Sequence, residues 1–139
     1  MPPKRPLAQL LGIKAGDTIL LADEPAGFRA RLNPLPHDIA FATAQREAVD
    51  VACIFVVAES ELVRQLPAMA ARLAPQCRLW VFWPRRHGAI LTDLSDEMVR
   101  ATGAASRLVD HGTLPKEPEW SVLLFRRADD TETRPLNRP

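Results

Sequence analysis

Residues 51–57 read VACIFVV, seven consecutive side chains without a polar interruption. A strand with one face in water alternates polar and apolar residues. An unbroken apolar run of this length marks a strand covered on both faces. Such a strand needs a layer above it and a layer below it, so the fold class is set before any motif is found. The runs TILLA at 18–22 and LWVFW at 79–83 repeat the pattern more briefly.

Helical stripes alternate with these runs. Leu7, Leu10 and Leu11 form a short one ended by Gly12, and a weak helix leads to Leu32 before the Asn33-Pro34 break. Between residues 60 and 73, Leu62, Leu66, Met69, Ala70 and Leu73 recur at helical spacing, with Arg64 and Arg72 off the stripe. Ser60 is the expected N-cap of that helix, and Pro67 inside it predicts a kink or a restart. A turn is expected at 74–77 and a helix over 96–102, with Asp96 and Glu97 suited to its N-terminal dipole. Further strands are expected at 39–42, 106–110 and 119–126. The loop joining the last two is too poor in helix signals for a crossover, so the final strand should run antiparallel.

The chain has 139 residues, one domain's worth, and a domain of this size buries enough surface to stand without metal or disulfide. The expected division is a tail at 1–6, a single domain at 7–127 and a tail at 128–139, both tails being polar and punctuated by proline. A formal net charge of +1 offers no basic field for nucleic acid. No apolar stretch reaches bilayer length and the start does not resemble a signal peptide, so no membrane contact and a cytoplasmic location are expected. Cys53 and Cys77 match no paired metal or redox spacing, and Cys53 lies in the most apolar run, as a buried inert thiol would. His37, His87 and His111 fall in separate elements with no metal-site spacing, so no metal is expected.

Leu11-Gly12-Ile13-Lys14-Ala15-Gly16-Asp17 running into an apolar strand is similar to the lead-in of class I S-adenosylmethionine-dependent methyltransferases. More specifically, the chain resembles an uncharacterised bacterial family of short Rossmann-like proteins, a domain of unknown function. The resemblance rests on an ordered set: the Gly16-Asp17 turn, Pro25 to Phe28, Leu66-Pro67, Leu79-Trp80, Trp83 to Arg86, Thr92 to Leu94, and Trp120-Ser121 through Phe125. It spans nearly the whole chain. It implies a doubly wound, mostly parallel six-stranded α/β sheet in the order 2-1-3-4-6-5 with the last strand antiparallel, and no activity to carry over.

In open α/β sheets ligands bind outside the carboxyl ends of the strands where the strand order reverses. That places candidate ligand contacts at Glu24 and Gly27 after the first strand and at Glu59 and Ser60 after the third. Trp83, Arg85 and Arg86 would form the neighbouring wall, with Thr92 and Asp93 near a helix start. Two arginines beside a helix N-terminus could clamp a carboxylate or phosphate. Dinucleotide or S-adenosylmethionine loops need glycines after the first strand, where this chain has Glu24-Pro25-Ala26-Gly27. Asp23 and Glu24 would repel a pyrophosphate, and nothing acidic follows the second strand before Glu47. The expectation is therefore a domain without a cofactor and without a catalytic set, acting as a binding or interaction module for a small anionic ligand or a protein partner. The alternatives are an atypical S-adenosylmethionine-dependent methyltransferase-like enzyme and a structural subunit that forms a homodimer through an exposed strand edge.

Overall fold

The computed structural model describes residues 6–42, 49–86, 88–114 and 119–128. The expected tails lie outside these apart from residues 6 and 128, as do Glu47 and His87. Among the described residues the elements are α1 (Leu7–Leu10), β1 (Thr18–Ala22), α2 (Phe28–Arg31), β2 (Ala40–Phe41), β3 (Val49–Phe55), α3 (Glu59–Ala70), β4 (Leu73–Pro84), α4 (Asp96–Ala105), β5 (Leu108–Gly112) and β6 (Trp120–Arg127). The strands form one sheet in the order β2-β1-β3-β4-β6-β5. β2, β1, β3 and β4 are parallel, and β6 runs antiparallel to both β4 and β5. This is the methyltransferase-like order that the family resemblance implied.

β3 supplies both cores. Val51, Cys53 and Phe55 join α1 and α2 through Leu7, Leu11 and Phe28. Ala52, Ile54 and Val56 join α3 and α4 through Leu62, Leu66, Met69 and Val99. Five of these six residues from the run are fully buried, and Phe55 is 3% exposed. Each buried Val, Ile or Phe contributes roughly 1.5–3 kcal/mol, which makes the two-sided strand the main source of cohesion. At the carboxyl ends of β3 and β4 the ring of Phe55 stacks on its cross-strand neighbour Phe82, centroids 4.3 Å apart, while Phe28 and Trp120 meet Phe55 edge-on. Trp80 gives its indole N–H to the Leu11 carbonyl at 3.0 Å, which fastens α1 to the sheet.

The structure differs from the expected elements at four places. Residues 74–77 do not end an element: β4 already begins at Leu73 and bulges there, Gln76 taking φ +67 where the register against β3 shifts. Helix α3 runs through Pro67 and ends one turn later, without a restart. The carbonyl that a proline at 67 leaves without a donor belongs to Val63, which is 53% exposed and open to water. α4 continues to Ala105, and Arg107 at φ +65 turns the chain out of it, so β5 starts two residues later than expected. Ser60 lies inside α3 and Ala58 is its N-cap, because Ala58 is the residue in extended geometry before the first turn.

α4 crosses β6 closely at Gly103. A methyl group there would stand 2.3 Å from Cε1 and 2.6 Å from Cζ of the buried Phe125. On an exposed helix Gly→Ala gains up to about 1 kcal/mol. Here overpacking reverses the sign, and Gly103→Ala should lower stability by about 1–3 kcal/mol in urea titration. An unchanged or raised midpoint would show that α4 is not seated on Phe125.

Candidate functional site

From β1 the chain turns one way, through α2 to β2, and from β3 it turns the other way, through α3 to β4. The carboxyl ends of β1 and β3 therefore flank the reversal point, where a crevice is built into the topology. A groove of about 450 Å³ runs from there along the sheet face, lined by Leu20 of β1, Asp23 after it, Ala42 after β2, Arg64 and Gln65 of α3, and Arg72 in the turn between α3 and β4. Asp23 adopts φ +60, a left-handed geometry that aspartate tolerates better than most residues. Its Oδ2 accepts from Gln65 Nε2 at 2.9 Å, so the loop after β1 is tied to the helix after β3. The groove thus holds one carboxylate and two guanidinium groups over an apolar floor.

The expected site residues fall in separate places. Glu24 is half-buried in the loop after β1, and Gly27 at φ +88 is the N-cap of the one-turn helix α2. Glu59, Ser60 and Asp93 do meet, in a shallow depression shared with Val63 and Arg64. Trp83 is buried at the end of β4, whereas Arg85 and Arg86 are exposed beyond it. Arg85 lines a pocket with Trp83 and Trp120, away from the depression at Asp93.

The segment at 92–94 has a structural task. Asp93 Oδ1 accepts from the Glu59 N–H at 2.8 Å, Thr92 Oγ1 donates to the Val57 carbonyl at 2.6 Å, and the Leu94 N–H returns to Thr92 Oγ1 at 3.1 Å. Glu61 Oε1 accepts from the Val57 N–H at 2.8 Å. The start of α3 is therefore capped by a carboxylate from a distant loop, in place of the alanine that cannot cap it. Similarly, Ser95 caps α4 by accepting from the Met98 N–H at 3.3 Å.

The remaining chemistry-bearing residues are less suited to reaction. Cys53 is fully buried, and that burial, with Cys77 and Glu24 nearby, pushes its thiol far above the usual range. Exposed His37 sits 3.1 Å from Asp38, and His111 is exposed on β5. Among the described residues no three of His, Cys, Asp and Glu gather as a metal site, and no helix is long and apolar enough to cross a membrane.

The sequence matches no protein-family model and no curated protein. Solved structures do match it. A SAM-dependent methyltransferase from Aquifex aeolicus superposes with TM-score 0.61 at 11% identity, covering 86% of each chain. The DhpI–SAH complex gives TM-score 0.61 at 10% identity, covering 88% of this chain and 82% of that one. Mitomycin 7-O-methyltransferase MmcR gives TM-score 0.60 at 16% identity, and there this chain spans 52% of the other's length. The fold is therefore the α/β methyltransferase fold. The expectation of a domain without a cofactor does not stand against these neighbours, one described as a SAM-dependent methyltransferase and another solved as a complex with SAH. That expectation came from the glycine-poor, acidic loop after β1 and the lack of a carboxylate after β2, and it left the side chains of α3 out of account.

Arg64, Gln65 and Arg72 were not among the expected site residues. The signal was in the sequence: positions 64, 68 and 72 fall four apart, one helical line beside the apolar stripe. A basic line flanking a buried stripe looks like an ordinary solvated face until the neighbouring strand end is placed.

Removal of the distant cap should be felt at α3. Asp93→Ala is expected to cost about 1 kcal/mol in chemical denaturation, and Asp93→Asn less, since the amide oxygen can still accept. Equal stability of Asp93→Ala and the parent would show that the strap does not cap the helix. Both cysteines, at most 1% exposed, should stay unreactive to Ellman's reagent in the native protein and titrate fully on unfolding.

Proposed function

We propose that this domain binds a nucleoside ligand with an amino-acid tail, of the S-adenosylmethionine and S-adenosylhomocysteine class, in the groove at the β1/β3 reversal. The observation that carries the reading is that Asp23, Arg64 and Arg72 line one groove beside the point where the strand order reverses. An amino-acid tail is a zwitterion. Its ammonium suits a carboxylate, and its carboxylate suits a guanidinium fork. A groove of this volume also falls in the range of small-molecule sites, roughly 300–1,000 Å³.

The same charges discriminate between ligands. A dinucleotide would bring its pyrophosphate toward Asp23 and Glu24, whereas a sulfonium carries positive charge to that place. The loop's shortage of glycine suits a ligand held by side chains rather than by backbone amides. When bound, S-adenosylmethionine supplies an electrophilic methyl group. The residues named here bind and orient the ligand, and Gln65 holds Asp23 in position.

Calorimetric titration with S-adenosylhomocysteine tests the reading. Micromolar binding is expected, with Asp23→Asn weakening it about tenfold, close to 1.4 kcal/mol, because the amide still accepts from Gln65 but loses the charge. Absence of heat at two temperatures, or binding indifferent to Asp23→Asn, would overturn it.

A further inference from the structure

A second pocket, of about 310 Å³, opens past the carboxyl end of β4, between the start of α4 and the β5–β6 pair. It belongs to different elements from the groove at β1 and needs none of that groove's residues. Arg85 reaches it from the end of β4, and Asp96 and Arg100 reach it from the first turns of α4. Thr113 and Ser121 add hydroxyls, and Trp83 and Trp120 contribute apolar surface.

The geometry points to a binding site for a small organic acid, with Arg85 and Arg100 as the anion clamp. The two guanidinium groups come from separate elements and converge on one concave, partly apolar space, an arrangement that a solvated basic loop does not need. Arg100 is held from outside: its Nε lies 3.5 Å from Asp110 Oδ2, both side chains being about half exposed. A carboxylate at Nε occupies one edge of a guanidinium, and the terminal nitrogens form the fork that meets a carboxylate or phosphate. Arg85 is fixed at its backbone, where the N–H donates to the Glu119 carbonyl at 3.1 Å and seats the strand end against β6.

Asp96 narrows the ligand class. Its carboxylate, in the same lining, can accept from a hydroxyl or amino group, so among anions that fit the clamp those carrying such a group bind more tightly than the bare ones. Thr113 is already oriented, since its hydroxyl donates to the Val122 carbonyl and keeps lone pairs available. Arg86, next in sequence, stands on the exposed turn and lies outside the pocket lining. The clamp is thus formed across the fold, by Arg85 with Arg100, and not by the adjacent pair Arg85–Arg86.

Thermal unfolding at constant ionic strength, with inorganic phosphate or malonate replacing chloride, tests the site in the intact chain. At about 50 mM, at least one of the two anions should raise the midpoint by about 3 °C or more over chloride. Phosphate alone acting assigns a phosphoryl ligand, and malonate alone acting assigns a carboxylic one. Arg85→Gln and Arg100→Gln should each abolish the rise relative to their own chloride midpoints, while Arg86→Gln should keep it. Calorimetric titration of the folded variants with the active anion separates lost binding from lost stability. No advantage over chloride for either anion, a rise that survives Arg85→Gln, or equal loss in Arg86→Gln would overturn the proposal. Because S-adenosylhomocysteine binding is measured separately and depends on Asp23, failure of either site leaves the other standing.

Discussion

Burial of β3 on both faces is the constraint from which the rest of this structure follows. Alternate residues of one strand feed two separate cores, so neither layer of helices can be removed without exposing half of the run at 51–57. The demand also decides connectivity. Two-sided cover over parallel strands requires crossovers on both faces, and the strand order must then reverse somewhere. It reverses between β1 and β3. The crevice for a ligand is thus a by-product of how the central strand is covered, and it exists whatever the loops carry.

What the loops carry then sets the chemistry. The start of α3 is often available to an anion in folds of this kind, but here the Asp93 carboxylate occupies its first amide. The polar groups that face space are instead side chains, on α3 beside Asp23 and around the mouth of the β4–β6 pocket. A site made of side chains is specific in charge and tolerant in backbone, the reverse of a glycine-rich loop. The Phe55–Phe82 stack with Phe28 fills the sheet end on the α1–α2 face, and Trp120, edge-on to Phe55, joins that cluster to the β4–β6 pocket that it also lines.

The architecture was legible in the sequence because its strongest signals are periodic. The buried strands and the helical stripe at Leu62–Leu66 follow from apolar spacing, the helix at Asp96 from its cap and dipole residues, the antiparallel β6 from the helix-poor loop before it, and the strand order from the family resemblance. The misplaced features are those decided by contacts across long separations. Ser60 has the chemistry of an N-cap, yet the cap comes from Asp93, which no local rule connects to Glu59. Residues 74–77 have turn chemistry, yet pairing with β3 keeps them in a bulged strand. For the site, Arg85 was legible as a strand-end arginine, but its pocket partner is Arg100 on a helix that begins eleven residues later. Arg64 and Arg72 were read only as lying off the apolar stripe, because the end of β1 could not be placed beside them.

The strap at 92–94 divides the connection between β4 and α4 into two parts with unequal freedom. The hydrogen bonds that hold the start of α3 come from Thr92 and Asp93, so the demand for a fixed length begins at Thr92 and not in residues 88–91. Residues 92–94 are bound at both ends and have one permissible length. Variation among descendants of this chain should accumulate on one side of Thr92 and stop at it, so that the boundary between drift and constraint runs through the middle of a single loop.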